Sequence, residues 1–126
     1  MEEVKSKDAP QPIGAYSQAV AAGDYVFVSG QLGLDPGTGL LTGDDIRSQT
    51  LSSLDNIDSI LKTVGLDMCK IVKTEVFLKN MTDFPAFNEI YASKFQTTIK
   101  PARYVVQAAA LPKGALVEIA CTAYRG

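Results

Sequence analysis

The chain contains no histidine. That absence removes the commonest general base, the commonest metal ligand and every serine–histidine or cysteine–histidine nucleophile pair. Cysteine is scarce too: Cys69 and Cys121 are the only two, far apart and without CxxC spacing. Two thiols without imidazoles make a poor zinc site, and nothing resembles a disulfide framework, so a reducing, cytoplasmic setting fits and no metal is expected. Cys121 reads as a buried, inert thiol, and Cys69, just past a helix stop, as the more exposed one. Positive charge is thin: 12 lysines and arginines face 14 acidic residues, net −2, with the lysines scattered. No basic stripe exists for a phosphate backbone to follow, which makes nucleic acid a poor partner. No stretch approaches the roughly 20 apolar residues of a membrane span. The opening Met1-Glu2-Glu3-Val4-Lys5 is acidic and lacks the apolar run of a signal peptide. Repeats and low-complexity tracts are missing as well.

What is present suits one compact α+β domain over residues 1–126, with 46% hydrophobic and 21% charged residues. Two prolines in Ala9-Pro10-Gln11-Pro12 favour an extended arm. A short strand can follow Ile13-Gly14-Ala15-Tyr16-Ser17-Gln18, and Ala22-Gly23-Asp24 reads as a hairpin turn. Tyr25-Val26-Phe27-Val28-Ser29-Gly30-Gln31 is strongly β-prone and apolar on both faces, the pattern of a strand covered on both sides. The glycine-rich Asp35–Gly39 stretch has no GxGxxG pattern and no Lys-Ser/Thr, so it is read as a plain connection.

Thr42 is the expected cap of a first helix, with Asp44 and Asp45 at its positive end and Gly65 just past its close. Ile46, Leu54, Ile57, Leu61 and Val64 form its apolar face. Ile71–Lys79 reads as a strand with Lys73, Glu75 and Lys79 on one face and Val72, Thr74, Val76 and Leu78 on the other. Thr82 or Asp83 opens a second helix, Pro85 lies in its first turn, and Phe84, Phe87, Tyr91 and Phe95 form an aromatic stripe expected in the core. Each helix joins two strands, as crossover units do. If both helices cover one face of the sheet, Tyr25–Val28 and the Tyr104-Val106-Ala108 row are left on a bare apolar face, which marks an interface between copies.

The final stretch carries the chemistry. Lys100-Pro101-Ala102-Arg103-Tyr104-Val105-Val106 and Val117-Glu118-Ile119-Ala120 read as two strands of a hairpin, each with one charge among apolar neighbours. A lone guanidinium can grip a small anion and a lone carboxylate can direct a water. The plainer reading is an exposed ion pair of little energetic worth.

Several segments together resemble the Rid/YjgF family of reactive-intermediate (enamine/imine) deaminases. They are Ile13–Gln18, Val28-Ser29-Gly30-Gln31, Ser53–Ile57, Val72–Leu78, Phe87–Tyr91, Pro101-Ala102-Arg103, and Leu111-Pro112-Lys113 through Ile119. The resemblance runs nearly end to end. It implies a chorismate-mutase-like mixed sheet with two helices on one face, and a homotrimer with clefts between subunits. It further implies hydrolysis of 2-aminoacrylate and related 2-imino acids to 2-keto acids and ammonia, the activity of a 2-iminobutanoate/2-iminopropanoate deaminase, without cofactor. By motif, Arg103 matches the residue that holds the substrate carboxylate and Glu118 the one that positions water. Tyr16, Ser29, Gly30, Gln31 and Asn88 match cleft residues, with Tyr16 facing a neighbour's Arg103. Val105 stands where many active members carry cysteine. That departure keeps open a non-catalytic module that binds small carboxylates; an RNA-cleaving or translation-inhibiting role, attached to some relatives, fits less well. The expectation to be tested is that Arg103 and Glu118 converge on one pocket between protomers. Placement on opposite sides of the sheet, or a monomer with no shared crevice, would overturn it.

Overall fold

The computed structural model describes residues 1–126. In chain order the strands are β1 (Glu2–Val4), β2 (Ala19–Ala22), β3 (Tyr25–Leu32), β4 (Ile71–Leu78), β5 (Ala102–Gln107) and β6 (Val117–Tyr124). Helix α1 (Ile46–Lys62) lies between β3 and β4, and α2 (Phe84–Lys94) between β4 and β5. All six strands form one sheet in the order β1-β2-β3-β6-β4-β5. Only β4 and β5 pair in parallel; the other neighbours are antiparallel. The architecture is the expected α+β one, with two helices on a mixed sheet.

This topology corrects the terminal hairpin. β5 and β6 do not touch as partners, because β4 runs between them. The first crossover, through α1, leaves a gap between β3 and β4, and β6 fills it antiparallel to both. A continuous apolar run cannot report which strand it will sit beside. The short β1 was also not foreseen: Val4 is buried and the strand pairs with β2, so the arm begins as a sheet edge.

Helix α1 is capped by Asp45 rather than Thr42. The Asp45 carboxylate accepts the Ser48 amide at 2.9 Å and the Ser48 hydroxyl at 2.8 Å, which holds its pKa below the usual carboxylate value. The Thr42 hydroxyl instead donates to the Gly33 carbonyl at 3.2 Å, outside the helix. Leu54, Ile57, Ile60 and Leu61 of α1 join Phe87 and Tyr91 of α2 and Val76, Leu78, Val117 and Ile119 of the sheet in one core. The Cys121 thiol lies in this core, free, and burial pushes its pKa up to about 12. Cys69 is exposed.

β3 is covered on one side only. Val26 and Val28 are buried, while Tyr25 and Phe27 are 43% and 49% exposed. Tyr124 stands out beside them, and Tyr104 and Val106 on the far edge strand β5, so the face away from the helices is largely apolar and bare. In β4 a register shift between Ile71 and Lys73 turns Ile71 inward and leaves Val72 exposed, against simple alternation. Lys73 and Glu75 belong to the bare face, where the Tyr104 hydroxyl donates to Glu75 at 2.7 Å.

Candidate functional site

Two recesses carry the residues singled out from the sequence. The larger is a cavity of about 540 Å³ lined in part by Tyr16, Ser29, Gly30, Gln31 and Glu118. It exists because β3 is irregular. The register with β6 slips between Val28 and Gln31, so Ser29 and Gly30 bulge out of the ladder. Ser29 is held there by its amide donating to the Gln18 carbonyl at 2.9 Å and its hydroxyl donating to the Ser17 carbonyl at 2.7 Å. Gly30 lies so close to Glu118 that a Cβ there would sit 2.8 Å from the carboxylate carbon. With a Cβ at this position the Glu118 carboxylate would have to shift from where it now lies. Burial alone, with no hydrogen bond or charged neighbour contributing, raises the Glu118 pKa above its ordinary value.

The smaller recess, about 270 Å³, is lined by Asn88, Tyr91, Ala92, Phe95, Lys100, Pro101 and Arg103. Arg103 sits on the outer strand β5 and is oriented from two sides. Its guanidinium lies 4.7 Å from the Tyr91 ring centre and 5.6 Å from that of Phe84. It donates to the Asn88 side-chain oxygen at 2.8 Å. No acidic group pairs with it. Most of its five donors therefore remain free for a planar anion. Lys100 is engaged otherwise, donating to the Phe95 carbonyl at 2.6 Å and the Thr97 carbonyl at 3.0 Å.

Within one chain the two groups do not converge. Arg103 is in register with Thr74 of β4, and Glu118 with Phe77. Thr74 is buried toward α2, where its hydroxyl meets that of Tyr91 at 2.8 Å, while Phe77 alternates to the bare face. Arg103 with Asn88 thus lies on the helix side at the sheet edge. Glu118 with Tyr16, Ser29 and Gly30 lies on the other side. Val105 aligns with Val76 and packs against the core beside Arg103. Two expectations fail here: β4 runs between the strands read as a hairpin, and Arg103 and Glu118 face opposite sides of the sheet, so one chain does not bring both to one pocket.

Sequence reasoning missed the outer wall of the larger cavity, formed by Pro10, Gln11, Ile13, Leu34, Pro112 and Lys113. It also missed that Tyr91 and Phe84, expected as core, serve Arg103. The aromatic stripe was the available signal, since one helical face can pack inward at Phe87 and meet a strand-edge arginine at its margin.

Residues 6–125 match the family described as Endoribonuclease L-PSP. The chain belongs to the L-PSP (Rid/YjgF) family. Among L-PSP relatives, a RutC family protein of Pyrococcus horikoshii is 44% identical over 124 residues, covering 98% of each chain. The 2-iminobutanoate/2-iminopropanoate deaminase of Rattus norvegicus is 43% identical over 123 residues, covering 98% of this chain and 89% of that protein. Of solved structures, E. coli TdcF with bound serine superposes with a TM-score of 0.95 at 37% identity, over 100% of both chains. No helix of this L-PSP chain is long and apolar enough to cross a membrane.

Proposed function

We propose that this chain hydrolyses 2-imino acids, including the imine form of 2-aminoacrylate, to 2-keto acids and ammonia, in clefts assembled between copies of the chain, as a homotrimer. The observation that carries the reading is the pair of complementary half-sites. One is a guanidinium that is oriented and lacks an acidic partner; the other is a half-buried carboxylate without a partner, beside a backbone bulge. The relatives add support. One is named an imine deaminase, and another is described with bound serine, whose carboxylate adjoins a nitrogen-bearing carbon.

The chemistry needs little. Arg103 holds the substrate carboxylate through two parallel charge-assisted hydrogen bonds and so fixes C2. Glu118 accepts a proton from water as its oxygen bonds to C2, and the imine π electrons move to nitrogen. The nitrogen gains two protons, one returned by Glu118 and the other shed by the new hydroxyl; as that oxygen closes the ketone, the C–N bond breaks and ammonia leaves. A carboxylate whose pKa burial has raised is a better base at neutral pH than an ordinary glutamate. Because the halves lie on opposite faces of one sheet, a neighbour must supply the missing half. The apolar face around Phe27, Tyr25 and Val106 is the surface available for that association.

The direct test generates 2-aminoacrylate in situ with a serine-dehydrating enzyme and follows keto acid and ammonia. Acceleration over spontaneous hydrolysis supports the reading. Saturable 2-keto acid binding without acceleration would leave only a carboxylate-binding module, and a monomer in light scattering with no shared cleft would end both. Gly30→Ala gives a finer check. Its methyl displaces the Glu118 carboxylate, so kcat is expected to fall about tenfold or more while α1 and the core are untouched. An unchanged kcat would show that the carboxylate's position does not matter.

A further inference from the structure

The wall of the Glu118 cavity that faces outward is not part of the sheet. Half of it is the arm between β1 and β2, which carries Pro10, Gln11 and Ile13 and meets Leu34, Pro112 and Lys113 there. An arm of this kind, rich in proline and pairing with no strand, has few ways to stay in place. Ala9 is buried in the core, and the Gln18 side chain grips the backbone on either side of it. Gln18, only 2% exposed, accepts the Ser6 amide on its Oε1 at 2.6 Å. Its Nε2 donates to the Ser6 carbonyl at 3.0 Å and the Pro10 carbonyl at 2.9 Å, with the Ala9 carbonyl at 3.4 Å. Both ends of the amide are spent on the arm. The same residue's main-chain carbonyl receives the Ser29 amide at 2.9 Å. Gln18 therefore ties the arm on one side of the cavity to the Ser29–Gly30 bulge on the other.

We infer that Gln18 is a positioning residue that fixes the arm as the apolar wall on which the substrate's side chain rests. The inference rests on the imine-hydrolysing reading above. Arg103 and Glu118 act at the carboxylate and at C2. Pro10 and Ile13 lie on the outer wall, and a substrate that extends beyond C3 can reach them. Loosening the wall then weakens ground-state binding of longer side chains and leaves the chemical step alone.

The test compares Gln18→Met, close in shape but without the amide, with the parent chain. Two imines are used, one with a methyl and one with a branched four-carbon side chain. Expected is a rise in KM of about tenfold for the branched imine and about twofold or less for the methyl one, with kcat within about twofold for both. Hydrogen exchange at the Ser6 amide should quicken in parallel. The core variant Ile60→Val, which destabilises the fold elsewhere, should move neither KM. Equal KM changes for the two imines, a fall in kcat alone, or no change would overturn the inference. If Gln18→Met does not fold, Gln11→Ala takes its place. It removes that residue's bonds to the Ser6 and Ala9 carbonyls at 2.9 and 3.2 Å, and the same preference for affecting the branched imine is expected on a smaller scale. If the parent chain shows no turnover, the imine reading falls on its own. Calorimetry with the two corresponding 2-keto acids then decides about Gln18: selective loss of the branched acid in the variant upholds the wall, and equal affinities overturn it.

Discussion

Arg103→Ala is expected to lower kcat/KM for 2-iminopropanoate by roughly 1,000-fold, since truncating one side of a hydrogen-bonded charge pair costs about 2–5 kcal/mol and each 1.4 kcal/mol is tenfold. The residue is exposed, and its removal strands no buried charge. Its Asn88 partner can turn to water, and Tyr91 keeps its bond to Thr74. The thermal midpoint should therefore move little. Arg103→Lys should recover only part of the loss, because an ammonium cannot present two parallel donors to a carboxylate and does not stack as a plane on Tyr91. Steady-state kinetics with imine generated in situ, alongside a melting curve, reads both halves of the expectation. Retained activity in a folded Arg103→Ala protein would remove the guanidinium from the mechanism.

Glu118→Gln should lower kcat by about 10²–10³-fold with little change in KM, the usual scale for loss of a positioned acid–base group. The parent rate should rise with pH along a limb whose apparent pKa lies above the ordinary glutamate value, because burial disfavours the charged form. The same shift acts on stability in a definite direction. Below the unfolded-state pKa the carboxyl is neutral in both states and the fold pays nothing. As pH rises through the folded-state pKa the group ionises in a half-buried site, and stability is lost. Glu118→Gln should thus melt higher than the parent at neutral pH, with the difference vanishing in acid. A further outcome separates a shared cleft from a private one. Refolding Arg103→Ala and Glu118→Gln chains together in equal amounts should restore about a quarter of parental activity, because random neighbours in a closed ring give one cleft in four both intact groups. No restoration would refute sites built from two copies.

Much of the fold was legible because the helices have strong periodicity and the strands β3 and β4 strong β character. Leu54, Ile57 and Leu61 lie where a 3.6-residue repeat places them. Strand adjacency was not legible. Tyr104–Val106 and Val117–Ile119 carry the same kind of apolar pattern whether they pair with each other or with β4, so the sequence-nearest pairing was expected and the sheet chose otherwise. The helix cap moved from Thr42 to Asp45 because both can accept an amide and only Ser48 beside Asp45 completes the arrangement. Of the residues that the family motifs group together, Tyr16, Ser29, Gly30, Gln31 and Glu118 line one cavity, while Asn88 and Arg103 line another. The arm wall was not legible, since the Gln18 clasp that holds the arm reaches across 12 residues to Ser6, a contact that no local pattern encodes.

The late position of β6 has a consequence for how the chain comes to be folded. A nascent polypeptide that has emerged only as far as α2 holds β3, already paired with β2, and β4 with an empty slot between them where β6 belongs. Until residues 117–124 leave the ribosome, the two edges that flank the slot stay open to foreign strands, so the sheet can close only once every other strand has been made.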